Sequence, residues 1–299
     1  QNGVKIMSII QKLETIHLST SQKEVANFML DKKLEIEKMT INELAHFTYT
    51  SPATIIRLAK KLGYDGYESL KKDFLEEQKY ILTHFNNIDP NYPFNKKDTI
   101  QTISSKMTQL LKETAQDTLS LMKHDDLQKA VAILKKANVI HLSAISYSLL
   151  LGQTFQLNMN RLGKLVNICS INGEELFMNH LIHKEDCLLM ISYSGQIEQM
   201  IQLARLAKRK NVPIIVITSV GNNELKKYGD VVLNISTREK LYSKIGGFVN
   251  ENSIKLILDI LYACYFELDY DDSLNKRITI SKESETTRFA SLKVMKEGE

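Results

Sequence analysis

The residues best suited to chemistry in this chain are serines in short turns that follow apolar runs. Ser192 and Ser194 flank Tyr193 directly after an apolar run that begins at Cys187, and Gly195 comes next. Hydroxyl groups and free amide groups at the start of a helix suit an anion such as phosphate, and glycine lets the backbone approach it. The turn therefore predicts an anion site, although a capped strand-to-helix turn without a ligand has the same pattern.

Two further turns carry hydroxyl groups after β-branched or apolar runs. Ser146 and Ser148 follow the run 139–143, and Thr218 ends the run 214–218. Ligands of open parallel sheets bind beyond the carboxyl ends of the strands, so three such turns at one edge favour a shared site. We expect Ser146, Ser148 and Thr218 to line it together with Ser192, Ser194 and Gly195.

Catalytic and metal chemistry have little support. Glu251, at the start of the last apolar helix, is a candidate general base for a sugar-phosphate isomerase and a candidate effector ligand, but it also complements the dipole of that helix. His180 and His183 lie three residues apart, a spacing that is more typical of a surface pair than of a metal site. Walker, dinucleotide and nucleophile-elbow motifs are absent. We therefore expect no catalytic residues, no metal and no cofactor.

A second kind of chemistry lies near the N-terminus. A short helix at 41–47 is followed by the turn Thr48-Tyr49-Thr50 and a helix at 51–62, and between Leu44 and Tyr64 there are three basic residues and no acidic one. Two helices joined by a tight turn, the second polar and basic, are typical of a major-groove reader, although a helical bundle with a basic face remains open. Base edges would be met by the first residues of the second helix, and phosphates by its last lysines: Ser51, Ala53, Thr54 and Arg57, then Lys60 and Lys61.

Capping signals place these helices. Two residue pairs have the spacing of a capping box, Ser21 with Glu24 and Thr40 with Glu43. Ser51-Pro52 opens the basic helix and Gly63 closes it. Tyr49 stands in the turn where a left-handed residue, usually glycine, is required, at a cost of about 1 kcal/mol.

From residue 138 short apolar runs alternate with helical patterns, which predicts a parallel sheet with helices on both faces. The fold class is therefore α/β, an all-α helix-turn-helix domain followed by a doubly wound, five-stranded parallel sheet. We divide the chain into a DNA-binding domain at 1–82, a linker at 83–98 with two prolines, a ligand-binding domain at 99–270 with leading helices, and a peripheral tail at 271–299. The strands are expected at 139–143, 165–169, 187–192, 214–218 and 231–235.

Composition limits the class of protein. The chain has 299 residues, 43% hydrophobic and 25% charged, with a net charge of +4. Three widely spaced cysteines fit a reducing compartment, and no run approaches the ~20 apolar residues of a membrane span. We expect a cytoplasmic protein with no membrane partner.

Both halves resemble one family. Leu44-Ala45, Ser51-Pro52-Ala53-Thr54, Arg57, Leu62-Gly63 and Gly66-Tyr67 follow the pattern of the DNA-binding domain of RpiR-type regulators. Residues 138–236 resemble the sugar isomerase (SIS) domain of the same regulators, whose Ser-x-Ser-Gly-x-Thr loop corresponds to Ser192, Ser194 and Gly195, with Ile197 in place of threonine. The first loop has Ala144 and Ser146 where that family has glycines.

The resemblance implies a flavodoxin-like SIS fold and a wing-like DNA contact at Tyr67. It also implies phosphate contacts from Ser192, Ser194 and Ser148, and a homodimer or homotetramer. We therefore expect a transcription regulator of carbohydrate metabolism, not an enzyme, whose partners are double-stranded operator DNA and a phosphorylated sugar. The alternative is a sugar-phosphate isomerase with an accessory helical domain.

Overall fold

The structure, a computed structural model, describes residues 9–84, 88–169, 174 and 176–284. Residues 9–84, here called the head, are helical. Their helices are α1 (Ile9–Thr15), α2 (Thr20–Lys32), a 3₁₀ helix (Lys33–Lys38), α3 (Ile41–Phe47), α4 (Pro52–Lys61) and α5 (Tyr67–His84).

The caps at the start of α3 and α4 are as predicted. The Thr40 amide donates to Glu43 Oε2 over 2.7 Å while Thr40 Oγ1 accepts from the Glu43 amide over 3.3 Å. Ser51 Oγ accepts from the Thr54 amide over 3.3 Å, with Pro52 at the first helical position. These bonds satisfy amides that have no partner inside the helix, which fixes where each helix begins.

The predicted box at Ser21 is wrong. Helix α2 begins at Thr20, so Ser21 lies inside its first turn, and the cap is Ser19 in an extended conformation. Ser19 Oγ accepts from the Gln22 amide, and Gln22 Oε1 accepts from the Ser19 amide. A Ser-x-x-Gln box and a Ser-x-x-Glu box overlap in this stretch, and the backbone uses the earlier one.

The head has its own apolar core. The stripe predicted on α4 is buried: Ile55, Leu58 and Ala59 are completely inaccessible, and they pack with residues of α2 and α3 such as Met29 and Leu44. Burying a side chain of that size contributes about 1.5–3 kcal/mol. This packing, more than helix propensity, sets the angle at which α4 presents its polar face.

The second half is a five-stranded parallel sheet, as predicted. Its strands are β1 (Ile140–Ala144), β2 (Val166–Ile168), β3 (Cys187–Ser192), β4 (Ile214–Ser219) and β5 (Val231–Ile235). They lie in the order β2-β1-β3-β4-β5, with every neighbouring pair parallel. This is the flavodoxin-like order of doubly wound sheets.

Helices cover both faces of the sheet. Those of this half are α6 (Ile100–Leu121), α7 (His124–Lys136), α8 (Tyr147–Asn160), α9 (Met178–Leu181), α10 (Glu198–Arg209), α11 (Asn250–Glu267) and α12 (Tyr270–Ser284). Alternate residues of each strand enter separate cores: Leu189 packs with residues of α7, α8 and α11, and Leu188 with residues of α10. Because the strands are buried on both faces, they are continuous apolar runs in sequence.

Two segments differ from the sequence prediction. The stretch 222–228, expected as a helix, is a loop followed by a 3₁₀ helix at Leu225–Tyr228. The tail expected to be peripheral continues as helix α12 up to Ser284. The predicted helix at 173–182 lies partly outside the described residues. Within the described ranges, none of the helices combines the length and apolar character that crossing a membrane requires.

Candidate functional site

The 192–195 loop, residues Ser192 to Gly195, leaves the carboxyl end of β3 and leads into α10. Ser192 Oγ accepts from the Gly195 amide over 3.1 Å, and Ser194 Oγ accepts from the Gln196 amide over 3.3 Å. Gly195 has φ +60°, in the left-handed region that favours glycine. The loop thus brings two hydroxyl groups to one edge of the sheet, while the Gly195 and Gln196 amides already donate within the loop. Ser194 is half-buried, whereas Ser192 is only 3% exposed, so Ser194 is the more accessible of the two donors.

A neighbouring loop closes over Gly195. A Cβ atom added there would lie 2.2 Å from the Asn223 side chain, and the Leu225 amide donates to Gly195 O over 3.1 Å. Asn223 Nδ2 donates to Thr218 Oγ1 over 3.0 Å. The glycine is therefore required twice, once for its φ angle and once for the approach of Asn223.

Thr218 does not reach the surface, contrary to its predicted role as a direct ligand contact. Its side chain is completely buried and its hydroxyl accepts from Asn223. Thr218 of β4 pairs with Ser192 of β3, so within the sheet it lies beside the first residue of the 192–195 loop. Asn223, which sequence analysis missed, contacts both Thr218 and Gly195 and is itself buried.

The first loop, residues 145–148, lies at the same edge because β1 is the neighbour of β3. Ser146 is exposed and has φ +59° and ψ −134°, a conformation that serine rarely adopts. Ser148 is half-buried in the first turn of α8. The structure therefore keeps a glycine-type backbone at the position where the family's glycine is replaced by Ser146.

Acidic and basic side chains border the site from a long connection that we call the strap, residues 236–249 between β5 and α11. Glu239 is buried and bonded to Lys244 over 2.8 Å. Burial, together with the nearby Glu239, raises the pKa of Glu251, and the Lys244 ammonium opposes this shift. Glu251, the predicted ligand residue on α11, thus lies in a cluster that sequence analysis did not foresee.

The strap also contacts the 192–195 loop through Tyr193. Tyr193 Oη donates to the backbone carbonyl of Glu239 over 2.6 Å, and Lys244 Nζ lies 5.5 Å from the centroid of the Tyr193 ring. Burial beside Glu239 raises the pKa of Tyr193, so its hydroxyl remains a donor at neutral pH. These contacts join residues far apart in sequence, and no spacing in the chain signals them.

On the head, most of the predicted DNA contacts are accessible. Ser51, Ala53, Arg57, Lys60 and Lys61 are exposed on α4 or at its cap. Thr54 is an exception, because it is 8% exposed. Its Oγ1 lies 3.0 Å from Ser51 Oγ and accepts from Arg57 Nη2 over 3.2 Å. Thr54 therefore holds Arg57 at the surface instead of standing free to meet a base.

The wing predicted at Tyr67 is corrected. Tyr67 begins helix α5, is 4% exposed, and its hydroxyl donates to the Met39 carbonyl over 3.1 Å. The Gly66-Tyr67 step starts a helix that packs into the core of the head, so Tyr67 is a core residue.

The turn between α3 and α4 has the predicted strain. Tyr49 has φ +51° and is 97% exposed. Thr48 Oγ1 donates to the Leu44 carbonyl over 2.7 Å and lies 2.9 Å from Thr50 Oγ1. The two threonines therefore hold the turn on either side of a tyrosine that makes little packing contact. In the described part of the chain, no group of three or more His, Cys, Asp or Glu side chains is placed to hold a metal ion.

Comparison with family models identifies both halves. Residues 4–79 match the helix-turn-helix domain of the rpiR family, and residues 133–261 match the SIS domain. The chain belongs to the RpiR-type transcriptional regulators.

Relatives of this RpiR-type regulator match most of its length. An uncharacterized HTH-type transcriptional regulator of Caldanaerobacter subterraneus is 22% identical over 267 residues, 89% of this chain and 92% of the relative. The uncharacterized HTH-type transcriptional regulator YbbH of Bacillus subtilis is 24% identical over 257 residues, 86% of this chain and 88% of the relative.

Solved structures agree with the fold. The NanR protein of Vibrio vulnificus, complexed with ManNAc-6P, has a TM-score of 0.61 at 20% identity and covers 94% of this chain and 100% of its own. The sugar isomerase domain of an RpiR transcription factor from Sphaerobacter thermophilus has a TM-score of 0.54 at 14% identity, covering 60% of this chain and 98% of its own.

Proposed function

We propose that this RpiR-type regulator binds operator DNA through α4 and senses a phosphorylated sugar at the 192–195 loop, so that effector binding changes operator affinity. The observation that carries the sensing half is the loop itself. Ser192 and Ser194 place two hydroxyl groups beside the left-handed Gly195 at the carboxyl edge of the sheet, where ligands of such sheets bind. The likeness to NanR, which is complexed with ManNAc-6P, supports a phosphosugar as the effector.

In this proposal the phosphate is bound by Ser192, Ser194, Gly195 and Ser148, and Ser146 and Glu251 face the sugar. A sugar supplies hydroxyl donors that a carboxylate accepts, which suits Glu251. Thr218 acts indirectly, through Asn223. We also propose that the regulator acts on DNA in the cytoplasm. In its domain organisation, the segment 83–98 separates the head from the sensing domain, and the tail begins at residue 271.

We further propose that the regulator is a homodimer or homotetramer formed through the sensing domain. Helix α8 exposes Leu150 to 56% and Leu157 to 52%, and α12 exposes Tyr270 to 57%. A second copy would cover such faces, and a two-fold assembly would place two heads on the halves of a palindromic operator.

The DNA half is tested by measuring operator affinity on a sequence selected from a random DNA library with the wild-type protein. Arg57→Ala removes a side chain that we place against a base edge, so its cost is about 1–3 kcal/mol. Lys23→Ala, an exposed lysine on α2, is the matched control. Equal affinity of the Arg57→Ala variant and this control would remove Arg57 from the interface.

The sensing half is tested by calorimetry with a panel of hexose, pentose and N-acetylhexosamine phosphates. The Ser194→Ala variant should bind the best sugar phosphate at least tenfold more weakly, because it loses a hydroxyl that faces the phosphate. Ser104→Ala, a serine on α6 with an exposed side chain, is the control. If no member of the panel binds the wild type, the proposed effector class is wrong.

An isomerase is the second candidate, favoured by one observation. A carboxyl group with a raised pKa is what a general acid or base needs, and Glu251 has one. We propose that the regulator is nevertheless not an enzyme. The relatives that match most of this chain, over most of their own length, are named as transcriptional regulators. Turnover of an aldose phosphate to a ketose phosphate that disappears in Glu251→Gln would reverse this.

A further inference from the structure

The strap touches the candidate effector site and the segment that follows the head. We call residues 88–98 the docked segment, because it was expected to be a loose linker and instead packs against the strap. Asn91, the centre of this contact, is only 7% exposed. Its side-chain Oδ1 accepts from the Lys240 amide over 2.7 Å, and its carbonyl accepts from the Ile245 amide over 2.9 Å.

The two contacts of the strap meet at a single peptide group. The carbonyl of Glu239 accepts from Tyr193 Oη, and the amide of Lys240 donates to Asn91 Oδ1. That carbonyl and that amide are the two ends of the same peptide bond, which is planar and rigid. Tyr193 of the 192–195 loop and Asn91 of the docked segment are therefore connected by two short hydrogen bonds through one rigid unit.

Neighbouring contacts hold this peptide group in place. Arg238, whose side chain is 1% exposed, donates to Glu113 Oε2 over 3.1 Å and to the Ile88 carbonyl over 3.3 Å. The Glu239 carboxylate accepts from the Val249 amide and from Lys244 Nζ. The peptide group can therefore rotate only if several buried, charge-assisted bonds adjust with it.

Asn91 is prepared for this contact by its neighbour. Asp89 Oδ1 accepts from the Asn91 amide and from Asn91 Nδ2, each over 2.9 Å. With its Nδ2 engaged in this way, the Asn91 side chain presents Oδ1 to Lys240. Asp89 thus offers a way to loosen the contact without removing Asn91.

We propose that the Glu239–Lys240 peptide group is the relay that transmits effector occupancy from the 192–195 loop to the docked segment, and so to the head that precedes it in the chain. The inference rests on the proposed function, because the signal it transmits is an anion bound between Ser192 and Ser194. Binding there repositions Tyr193, which lies between the two serines. The repositioned hydroxyl pulls on the Glu239 carbonyl, and the same peptide group shifts its amide relative to Asn91.

The test compares operator affinity with and without a sugar phosphate in the full-length wild type and in Asn91→Ala. N-acetylmannosamine 6-phosphate and glucose 6-phosphate serve as probes, and the DNA is an operator selected from a random library. The wild type should change its operator affinity by a factor in the range of about 5–150 when the effective probe is added. Asn91→Ala should still bind the probe within about threefold of the wild type, but its operator affinity should change less than about twofold.

Two further variants distinguish the loss of the Asn91 contact from a folding defect. Asp89→Ala leaves Asn91 in place and removes only the group that orients it, and its operator response should be reduced. Tyr92→Phe, on the same segment, changes a side chain that is 52% exposed, and it should respond like the wild type. Hydrogen exchange should report faster exchange at the Lys240 and Ile245 amides in Asn91→Ala, and wild-type protection in the β1 and β3 strands.

The outcomes separate this inference from the proposed function. If the wild type binds the probe, responds on the operator, and Asn91→Ala responds equally, the relay is overturned and the proposed function stands. If the wild type binds neither probe nor any other sugar phosphate, the proposed function fails and the relay fails with it, having no input. Loss of the response in Asn91→Ala and Asp89→Ala, with probe binding retained and Tyr92→Phe normal, supports the relay.

Discussion

Replacing Tyr49 by glycine should stabilise the head, although it removes a large aromatic side chain. Tyr49 has φ +51°, and its side chain is 97% exposed. A side-chain-bearing residue in the left-handed region costs roughly 1–2 kcal/mol, which glycine avoids. Glycine also makes the unfolded chain more flexible, which offsets roughly 0.5–1 kcal/mol of that gain. The net stabilisation should be about 0.5–1 kcal/mol, since almost no packing is lost.

The assay is hydrogen exchange of the amides in α3 and α4, together with urea unfolding of the full chain. Slower exchange in both helices and a higher urea midpoint are expected for Tyr49→Gly. Tyr49→Ala is the control, because alanine keeps the Cβ atom and its strain while removing the ring. If Tyr49→Gly is no more stable than Tyr49→Ala, the strain assigned to this turn is not there, and the two flanking threonines set its conformation at no cost.

Two other perturbations follow from strain and burial at the sensing edge. Ser146→Gly should stabilise the sensing domain by about 0.5–1 kcal/mol in urea unfolding, because φ +59° with ψ −134° is a glycine-type conformation, and Ser148→Gly should not. Burial lowers the pKa of Lys226 to about 8, against the opposing charge of Glu76. Because this pKa lies below that of the unfolded chain, the ammonium destabilises the fold below pH 8, and this cost fades as the pH rises towards 10.5. From pH 7 to 9.5 the free energy of unfolding of the wild type should rise by roughly 1 kcal/mol relative to that of Lys226→Met, a value reduced for the partial exposure of the side chain. A difference in unfolding free energy that does not change with pH would contradict this prediction.

The sequence predicted what depends on local pattern. The β-branched run 214–218 and the apolar run 187–192 became buried parallel strands, because a strand covered on both faces needs little more than continuous apolar residues. The capping box at Thr40 was predicted correctly because its partner is only three residues away. The cap of α2 was misplaced, because two overlapping boxes fit the same rule and only packing selects between them.

What the sequence missed depends on contacts between distant segments. The bond from Tyr193 to Glu239 spans 46 residues, and the bond from Lys240 to Asn91 spans 149. Neither residue pair has a spacing that any helical or strand period would connect. Thr218 was misread for a related reason: its position at a strand end was right, but Asn223, from a loop without a recognisable pattern, covers it.

The closeness of Asn223 to Gly195 leads to a prediction in which one variant partly corrects another. Gly195→Ala meets two separate costs: a φ of +60° and a Cβ atom 2.2 Å from the Asn223 side chain. The first costs roughly 1–2 kcal/mol and the second roughly 1–3 kcal/mol, so the variant should be destabilised by about 2–5 kcal/mol. Truncating Asn223 to alanine opens space for the new Cβ but leaves the φ angle unchanged.

The comparison is therefore a double-mutant cycle, measured by urea unfolding. In the Asn223→Ala background, Gly195→Ala should cost only about 1–2 kcal/mol, because the strain remains and the overlap is gone. Asn223→Ala alone should be mildly destabilising, since Thr218 Oγ1 loses its donor. An equal cost of Gly195→Ala in both backgrounds would mean that Asn223 moves aside freely. The loop over the 192–195 loop would then be an adaptable cover that an effector could displace easily, and not a fixed part of the site.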